Sequence, residues 1–482
     1  MPWSGVGSHA VSATSDIIRA DFEGKAGGTP ALRQAGGTPA LRNGRRYGRY
    51  FMFKIRDWLF NDGGMLAAFG ERDFKLFWPG SLISNAGTWV QTTALLWYVK
   101  STTTSNAWVG AVNLAAFLPI LLFILLAGYF ADRFNRRKLI IFNQTVLMVF
   151  AFVLAVATHL KASLPFIMTI VFIQGTAFAF NFPAWQTIVS DIVPPENLLN
   201  GLALTSASFN LGQFLGPAIG ALILSAWTAS GAFLVNGISF LFVIAALLML
   251  RVKTPRCDLG AGGAVPHIKE GFAYVRRNAW ARNILMALGV VSFFGLPYLV
   301  LMPTVAKDVL KMGTGAYGVL LSASGLGAVL CAPLVTGLGR RFPANQIIKV
   351  AVAAIAGLLL ALSFSRTLWI SSLVAFGLGG SFLTLTATIN TVLQSRTDRE
   401  MRGRVMSYYV LMLLGTFSLG GQLMGIIAEH PDAPAALLVG GIACGSLALV
   451  LFLAPGLTRD AVVPRAGGLE LPGVEPREVT AD

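Results

Sequence analysis

The chain has 482 residues, of which 55% are apolar and 12% charged, with a mean hydropathy of +0.67 and a formal net charge of +15. So few charges cannot coat a core of that size, which excludes an ordinary soluble domain. The positive excess does not point to nucleic acid, because beyond Phe74 the Lys and Arg residues gather in short segments between apolar runs.

Residues 1–50 carry an imperfect tandem copy, AGGTPALR at Ala26–Arg33 and Ala35–Arg42. Gly and Pro in so short a unit give little to pack and much entropy to lose, so disorder is expected. No apolar run follows Met1, which argues against a secretory signal, and Met52 is an alternative translation start. Phe51, Phe53, Ile55, Trp58, Leu59 and Phe60, interleaved with Lys54 and Arg56, suit either an interfacial stretch or a sticky lead-in. Together these make residues 1–70 a disordered or interfacial extension.

Twelve apolar spans follow, at about 76–99, 108–130, 139–158, 164–190, 200–226, 231–250, 283–306, 314–338, 344–365, 368–394, 405–428 and 434–454. A helix crossing a hydrocarbon core of about 30 Å needs roughly 20 apolar residues, so each is a candidate membrane span. If both chain ends lie in the cytoplasm, the inner loops between spans hold 17 Lys/Arg and the outer loops five: Lys100, Lys161, Lys307, Lys311 and Arg366. That bias favours an even number of spans with both termini cytoplasmic. Segment 251–281 divides the spans six and six, with a glycine-rich linker at 260–263 and a cytoplasmic surface helix expected over His267–Ala281. The predicted layout is therefore an N-terminal six-helix bundle over 71–250, a linker over 251–281, a C-terminal bundle over 282–455 and a cytoplasmic tail over 456–482. A weak likeness between the exits of the fourth and tenth spans supports two parallel halves, as in proteins that rock around a central site.

Nothing in the chain suggests chemistry on a substrate. Cys257, Cys331 and Cys444 have no metal-ligand spacing, and the four histidines lie outside the spans. No phosphate-binding glycine loop and no Gly-x-Ser-x-Gly occurs. The expectation is a protein that is not an enzyme, with no cofactor and no metal.

The most informative segment is Gly128–Lys138, GYFADRFNRRK, a basic turn between the second and third spans. Arg133, Arg136, Arg137 and Lys138 all suit a topology signal, which for Arg136 and Lys138 is a sufficient account, but topology gives no reason for Asp132 to interrupt them. A carboxylate there can accept Arg hydrogen bonds or sit at the positive end of a helix. This turn resembles the loop between helices 2 and 3 of the major facilitator superfamily. The likeness extends through Glu71–Trp78, Trp89, Pro119, Asn181–Gln186, Val193–Glu196, Phe209–Gly212, Gly216-Pro217 and Gly403–Ser407. Over roughly 71–455 these segments resemble the bacterial drug and siderophore exporter branch related to the enterobactin exporter. The resemblance implies the major facilitator fold: an all-α polytopic membrane protein with twelve transmembrane helices in two pseudo-symmetric six-helix bundles.

It also implies a cytoplasmic gate formed by Gly128, Asp132, Arg133, Arg136, Arg137, Asp191 and Gly403. In that gate Asp132 faces the start of the eleventh helix near Gly403, and Arg133 or Arg137 engages Asp191 while the cavity faces outward. Asn135 stands where the family usually has glycine, and Asn tolerates a left-handed backbone. Gly212, Gly216, Pro217 and Gly220 form a glycine-bearing packing face like the family's antiporter motif, with Ala203 and Ala221 where further glycines are usual. Substrate contacts are expected from Asn85, Trp89, Gln91, Gln174, Asn181, Trp185, Ser292, Phe293, Phe294, Thr384 and Asn390. Each amide suits a helix-to-helix bond as well as a ligand. No Asp or Glu lies deep in a span, so proton coupling has no evident carrier.

The leading expectation is a monomeric inner-membrane exporter of a small amphipathic compound, using alternating access with exchange for protons as a candidate driving force. Two alternatives stand beside it: movement of a lipid or lysophospholipid between leaflets, and a non-transporting membrane scaffold or sensor. Substrate, coupling ion, transport direction and oligomeric state are not legible.

Overall fold

The structure is a computed structural model that describes residues 66–251 and 264–454 except 399, and the backbone alone of 129, 132, 264–267, 336 and 340. The tandem repeat, the stretch at 51–60, the glycine-rich linker at 260–263 and the tail at 456–482 lie outside the described residues.

The described elements are helices, set end to end by short turns. In the first half these are α1 (Arg72–Thr102), α2 (Asn106–Arg133), α3 (Arg136–His159), α4 (Leu164–Ile192), α5 (Leu198–Ala226) and α6 (Ala229–Met249). A short amphipathic helix follows, α7 (Ala264–Arg277). Then come α8 (Ala279–Val309), α9 (Thr314–Arg341), α10 (Ala344–Phe364), α11 (Leu368–Arg396), α12 (Arg402–Ile427) and α13 (Ala433–Leu453). The helices overrun the apolar spans by up to four residues, because Arg, Lys and Glu sustain helical hydrogen bonding beyond the apolar run.

Among the described residues, eleven helices are long and apolar enough to cross a membrane. α1 has the length, 31 residues, but its charged first turn and its run of Ser, Thr, Asn and Gln make it less apolar. Two departures from the expected elements have local causes. α8 starts at Ala279, which takes up the end of the surface helix expected over His267–Ala281. It is also interrupted at Gly295–Pro297, where Pro297 has no N–H to give, and it ends in a π-helical turn over Val305–Val309.

α1 packs on α5 and α6, α2 on α4, and α3 on α4 and α6. In the later half α9 packs on α11, α10 on α11 and α13, and α8 on α12 and α13. Some crossings depend on bare glycine: a Cβ on Gly379 would sit 1.8 Å from the Ser324 carbonyl oxygen. The halves are joined mainly by α5 against α9 and α2 against α12. Large apolar side chains such as Phe142, Leu222 and Trp369 stand exposed on the flanks, as a lipid-facing surface would have them.

Candidate functional site

Hairpin topology puts the basic turn 134–135 at one end of the bundle and the α1–α2 turn at the other; these are called the basic end and the far end. At the far end Asn106, first residue of α2, is a hub between the halves. Its Oδ1 accepts from Lys100 Nζ of α1 at 2.7 Å and from Thr304 Oγ1 of α8 at 2.9 Å, and its Nδ2 donates to the Ala428 carbonyl beyond α12 at 2.8 Å. Lys100 is 2% exposed, and Nζ also lies 2.6 Å from Asp308 Oδ2 and 3.5 Å from the Thr104 carbonyl oxygen. All three ammonium donors are thus engaged, which is what makes a buried lysine tolerable. Lys307 Nζ returns the contact by donating to the Lys100 carbonyl at 2.9 Å. Asp308 and Lys307 are presented by the π-turn of α8, a local irregularity often found where side chains must be re-aimed.

Glu429 adds a second tie. Its Oε2 accepts from the backbone N–H of Asn106 and from that of Ala107 at 3.2 Å, so a carboxylate of the later half caps the first turn of α2 in the earlier one. Burial works against the ionised form, but the N–H groups of Ala107 and Asn106, the Ser105 hydroxyl and His430 outweigh it and hold this carboxyl below its ordinary value.

Below this polar layer the halves meet through rings and bare backbone. Trp97 of α1 stacks on Tyr317 of α9 at 5.5 Å, and Phe117 of α2 meets Phe417 of α12 edge-on at 5.3 Å. A Cβ on Gly110 would lie 2.8 Å from the Gly421 carbonyl oxygen, and one on Gly425 2.8 Å from that of Asn106. On the other side a Cβ on Gly318 would meet the Ala221 methyl at 2.3 Å. These contacts thin out towards the basic end. There a Cβ on Gly337, Gly339 or Gly403 would meet no described atom within 4 Å, one on Gly128 would lie 3.7 Å from the Ser407 hydroxyl of the other half, and Leu199 is 82% exposed. The halves are tied closely at the far end and more loosely at the basic end, where α2 still meets the start of α12.

This arrangement changes the reading of the basic turn. The expected gate has the cavity facing away from the basic end, with Asp132 against Gly403; here Gly403 is open and the side chain of Asp132 lies outside the described residues. Asp191 is reached by Arg136, at 3.0 Å, where Arg133 or Arg137 was expected. Both partners belong to the first half, joining the start of α3 to the end of α4, so the pair does not bridge the halves. Arg137 instead donates to the Leu248 carbonyl of α6 at 2.8 Å. The reason is helical phase: α3 begins at Arg136, which brings that residue to the α4 side and its neighbour to the α6 side. Asn135 is also not left-handed. It has φ −61° and caps α3, its Oδ1 accepting from the Lys138 N–H at 3.0 Å.

Several expected cavity residues are engaged in holding the first half together. Asn236 Nδ2 donates to Gln91 Oε1 at 2.9 Å, Gln91 Nε2 to Gln174 Oε1 at 3.1 Å, and Gln174 Nε2 to the Leu147 carbonyl at 3.4 Å. This relay links α6, α1, α4 and α3. Asn85 reaches Ser208 of α5 at 3.4 Å, Trp89 packs edge-on to Phe209, and Trp185 packs on Phe77. Gly212, Gly216 and Gly220 face Asn85–Ala86, Trp89 and Thr93, and Pro217 lies on the same α5 stretch, near Gly318. Phe293 and Phe294 meet at 4.8 Å, just before the break in α8. Thr384 bonds back to Gly380, and Asn390 accepts from Gln394. Asn181 Oδ1 and Ser292 Oγ are buried without a hydrogen-bond partner, which leaves them unused binding capacity.

The far-end group is what sequence reasoning missed. Lys100 and Lys307 read as outer-loop charges, Asp308 and Glu429 as acids at span ends, and nothing marks out Asn106. The available signal was that Lys100 and Asp308 end spans of opposite halves with opposite charge, but pairing them requires the three-dimensional arrangement.

The family model described as transmembrane secretion effector matches residues 63–466. The chain belongs to this family. It is a membrane transporter of the major facilitator superfamily, an all-α multi-pass protein of the bacterial inner membrane, and not an enzyme. Family relatives include the staphyloferrin A transporter of Staphylococcus aureus, 23% identical over 74% of this chain and 89% of that protein. The multidrug efflux pump Tap of Mycobacterium tuberculosis is 25% identical over 80% of this chain and 94% of its own length. Among solved structures, the nucleoside transporter NupG aligns with a TM-score of 0.67 at 14% identity, covering 79% of this chain and 99% of the other. At that identity the likeness speaks for the fold alone.

Proposed function

We propose that the protein is a secondary active exporter of a small amphipathic organic compound, working by alternating access, with twelve spans in two six-helix halves (71–250 and 282–455) and both termini in the cytoplasm. The observation that carries this reading is the asymmetry of contact between the halves: polar, aromatic and glycine layers at the far end, and open space at the basic end around Gly403. With the basic end taken as cytoplasmic, the protein is open to the compartment from which an exporter collects its cargo. Rocking the halves would break the far-end layers and bring Gly128, Asp132 and Gly403 together, giving the basic turn its role in the opposite state. Relatives named for efflux or siderophore transport support a small organic cargo. The carboxylate-poor spans suit a neutral or weakly anionic compound over a polycation.

The test is uptake of a compound panel into inverted vesicles, with and without an imposed pH gradient, comparing the wild type with Asp132→Asn. Faster uptake by the wild type of at least one amphipathic compound supports the reading, and sensitivity to the gradient assigns protons as the driving ion. Equal uptake of every compound removes the export claim, and movement of labelled lipid alone would substitute lipid transfer.

A further inference from the structure

We infer that α7 is a membrane-surface helix that binds anionic lipid headgroups through Lys269, Phe272 and Arg276. The helix has no freedom to leave the end of the bundle. Asn278 alone separates it from α8, and that residue's N–H and Nδ2 both donate to the Tyr274 carbonyl, at 3.0 and 2.9 Å. Since α8 is an apolar span, α7 is held at the level where that span leaves the hydrocarbon.

One side of α7 is pinned to the start of α12. A Cβ on Gly271 would lie 3.0 Å from the Tyr408 ring and 3.1 Å from Arg404 Cβ, so the helix backbone rests directly on these residues. Tyr408 Oη donates to the Ile268 carbonyl at 3.0 Å, and Arg404 pairs with Glu270. Glu270 is the sole acid in the helix sequence, and this pairing consumes it.

The opposite side carries Lys269, Phe272 and Arg276, three and four residues apart and therefore in one stripe, with Arg277 beside it. All four are exposed, Phe272 at 56%. Among the described residues no carboxylate lies within ion-pair distance of Lys269, Arg276 or Arg277. A phenyl ring between unpaired cations at the membrane boundary fits one surface chemically: the ring enters the acyl edge while the cations meet lipid phosphates.

The test uses the full chain in nanodiscs of neutral phosphatidylcholine, or of phosphatidylcholine with one-third phosphatidylglycerol. Hydrogen exchange of 264–277 and photo-crosslinking from a benzoylphenylalanine at position 272 are read in each. Slower exchange and lipid adducts in the anionic discs are expected. Lys269→Gln and Arg276→Gln should each weaken the anionic preference roughly fivefold, as for about 1 kcal/mol per cation near such a surface. Both positions are exposed, so exchange in α8–α13 should be unchanged and reports directly on folding. Equal exchange in the two disc types, adducts to protein only, or the same protection from inorganic phosphate in neutral discs would each overturn the assignment.

Discussion

Lys100 of α1 and Asp308 of α8 form a 2.6 Å ion pair in which the lysine is buried and the aspartate side chain is 42% exposed. The pair belongs to opposite halves, and its asymmetry of burial decides how it should respond to change. When the far end opens, the ammonium exchanges Asp308 for water while Asn106 and the Thr104 carbonyl, of its own half, stay with it; while the end is closed, Asp308 must be present. Such a tie is stable in either end state and costly between them, as a latch requires.

Asp308→Asn should therefore disturb far-end closure more than Lys100→Gln. The first leaves a buried ammonium with neutral acceptors alone, whereas the second leaves a carboxylate already in partial contact with water. The loss expected for Asp308→Asn is about 1–3 kcal/mol of closure. Labelling of a cysteine placed at Val300, 1% exposed beneath the latch, by a membrane-impermeant thiol reagent reads it out. Faster labelling in Asp308→Asn than in Lys100→Gln is the expected order.

Glu429 gives the far end a pH response of known sign. Its carboxyl is held below its ordinary value of 4.5 when it caps α2, so capping stabilises closure above that value and is lost as pH falls through the lowered one. Acidification below about 4.5 on the side of the membrane that the far end faces should thus raise Val300 labelling in the wild type. Glu429→Gln should label fast at neutral pH and lose the acid-dependent step.

Glycine substitutions should separate folding from switching. Gly379→Val drives a side chain into the Ser324 backbone within one half, and should abolish folded protein. Gly110→Val collides with the Gly421–Gln422 backbone of the other half, and should leave a folded protein biased towards an open far end. Gly403→Val meets open space in this state, so melting should be unchanged while transport falls if the basic end must close around it. Size-exclusion profiles, thermal melts and vesicle uptake check the three.

Arg136 and Asp191 should behave as a folding element of the first half. Their side chains are 15% and 7% exposed, and removing one partner of so buried a pair costs about 3–5 kcal/mol. Arg136→Gln and Asp191→Asn should each lower the melting temperature sharply, with the double variant losing less than the sum. Comparable melting of all variants would make the pair a switching contact.

The helices were legible because apolar length is a local property: the runs at 164–190 and 344–365 become α4 and α10 almost residue for residue. Helix phase was not. Which arginine of the turn reaches Asp191 depends on where α3 starts, and Asn135 sets that start by capping, a role that competes with the turn conformation expected of it. Gln91 and Gln174 stand out in the sequence as amides within spans, expected to meet substrate, but sequence cannot show that Asn236 joins them in a helix-to-helix relay. The far-end latch was least visible, because its members lie on four different helix ends and share only position in space.

Closure of the far end by the latch is read by a distance distribution between spin labels at Thr104 and Met312, in a background with Cys257, Cys331 and Cys444 replaced. These positions flank the latch from opposite halves. A single short distance is expected in the wild type at neutral pH, and a longer population in Asp308→Asn/Glu429→Gln. An unchanged short distance in that double variant would contradict the claim that these residues hold the far end shut.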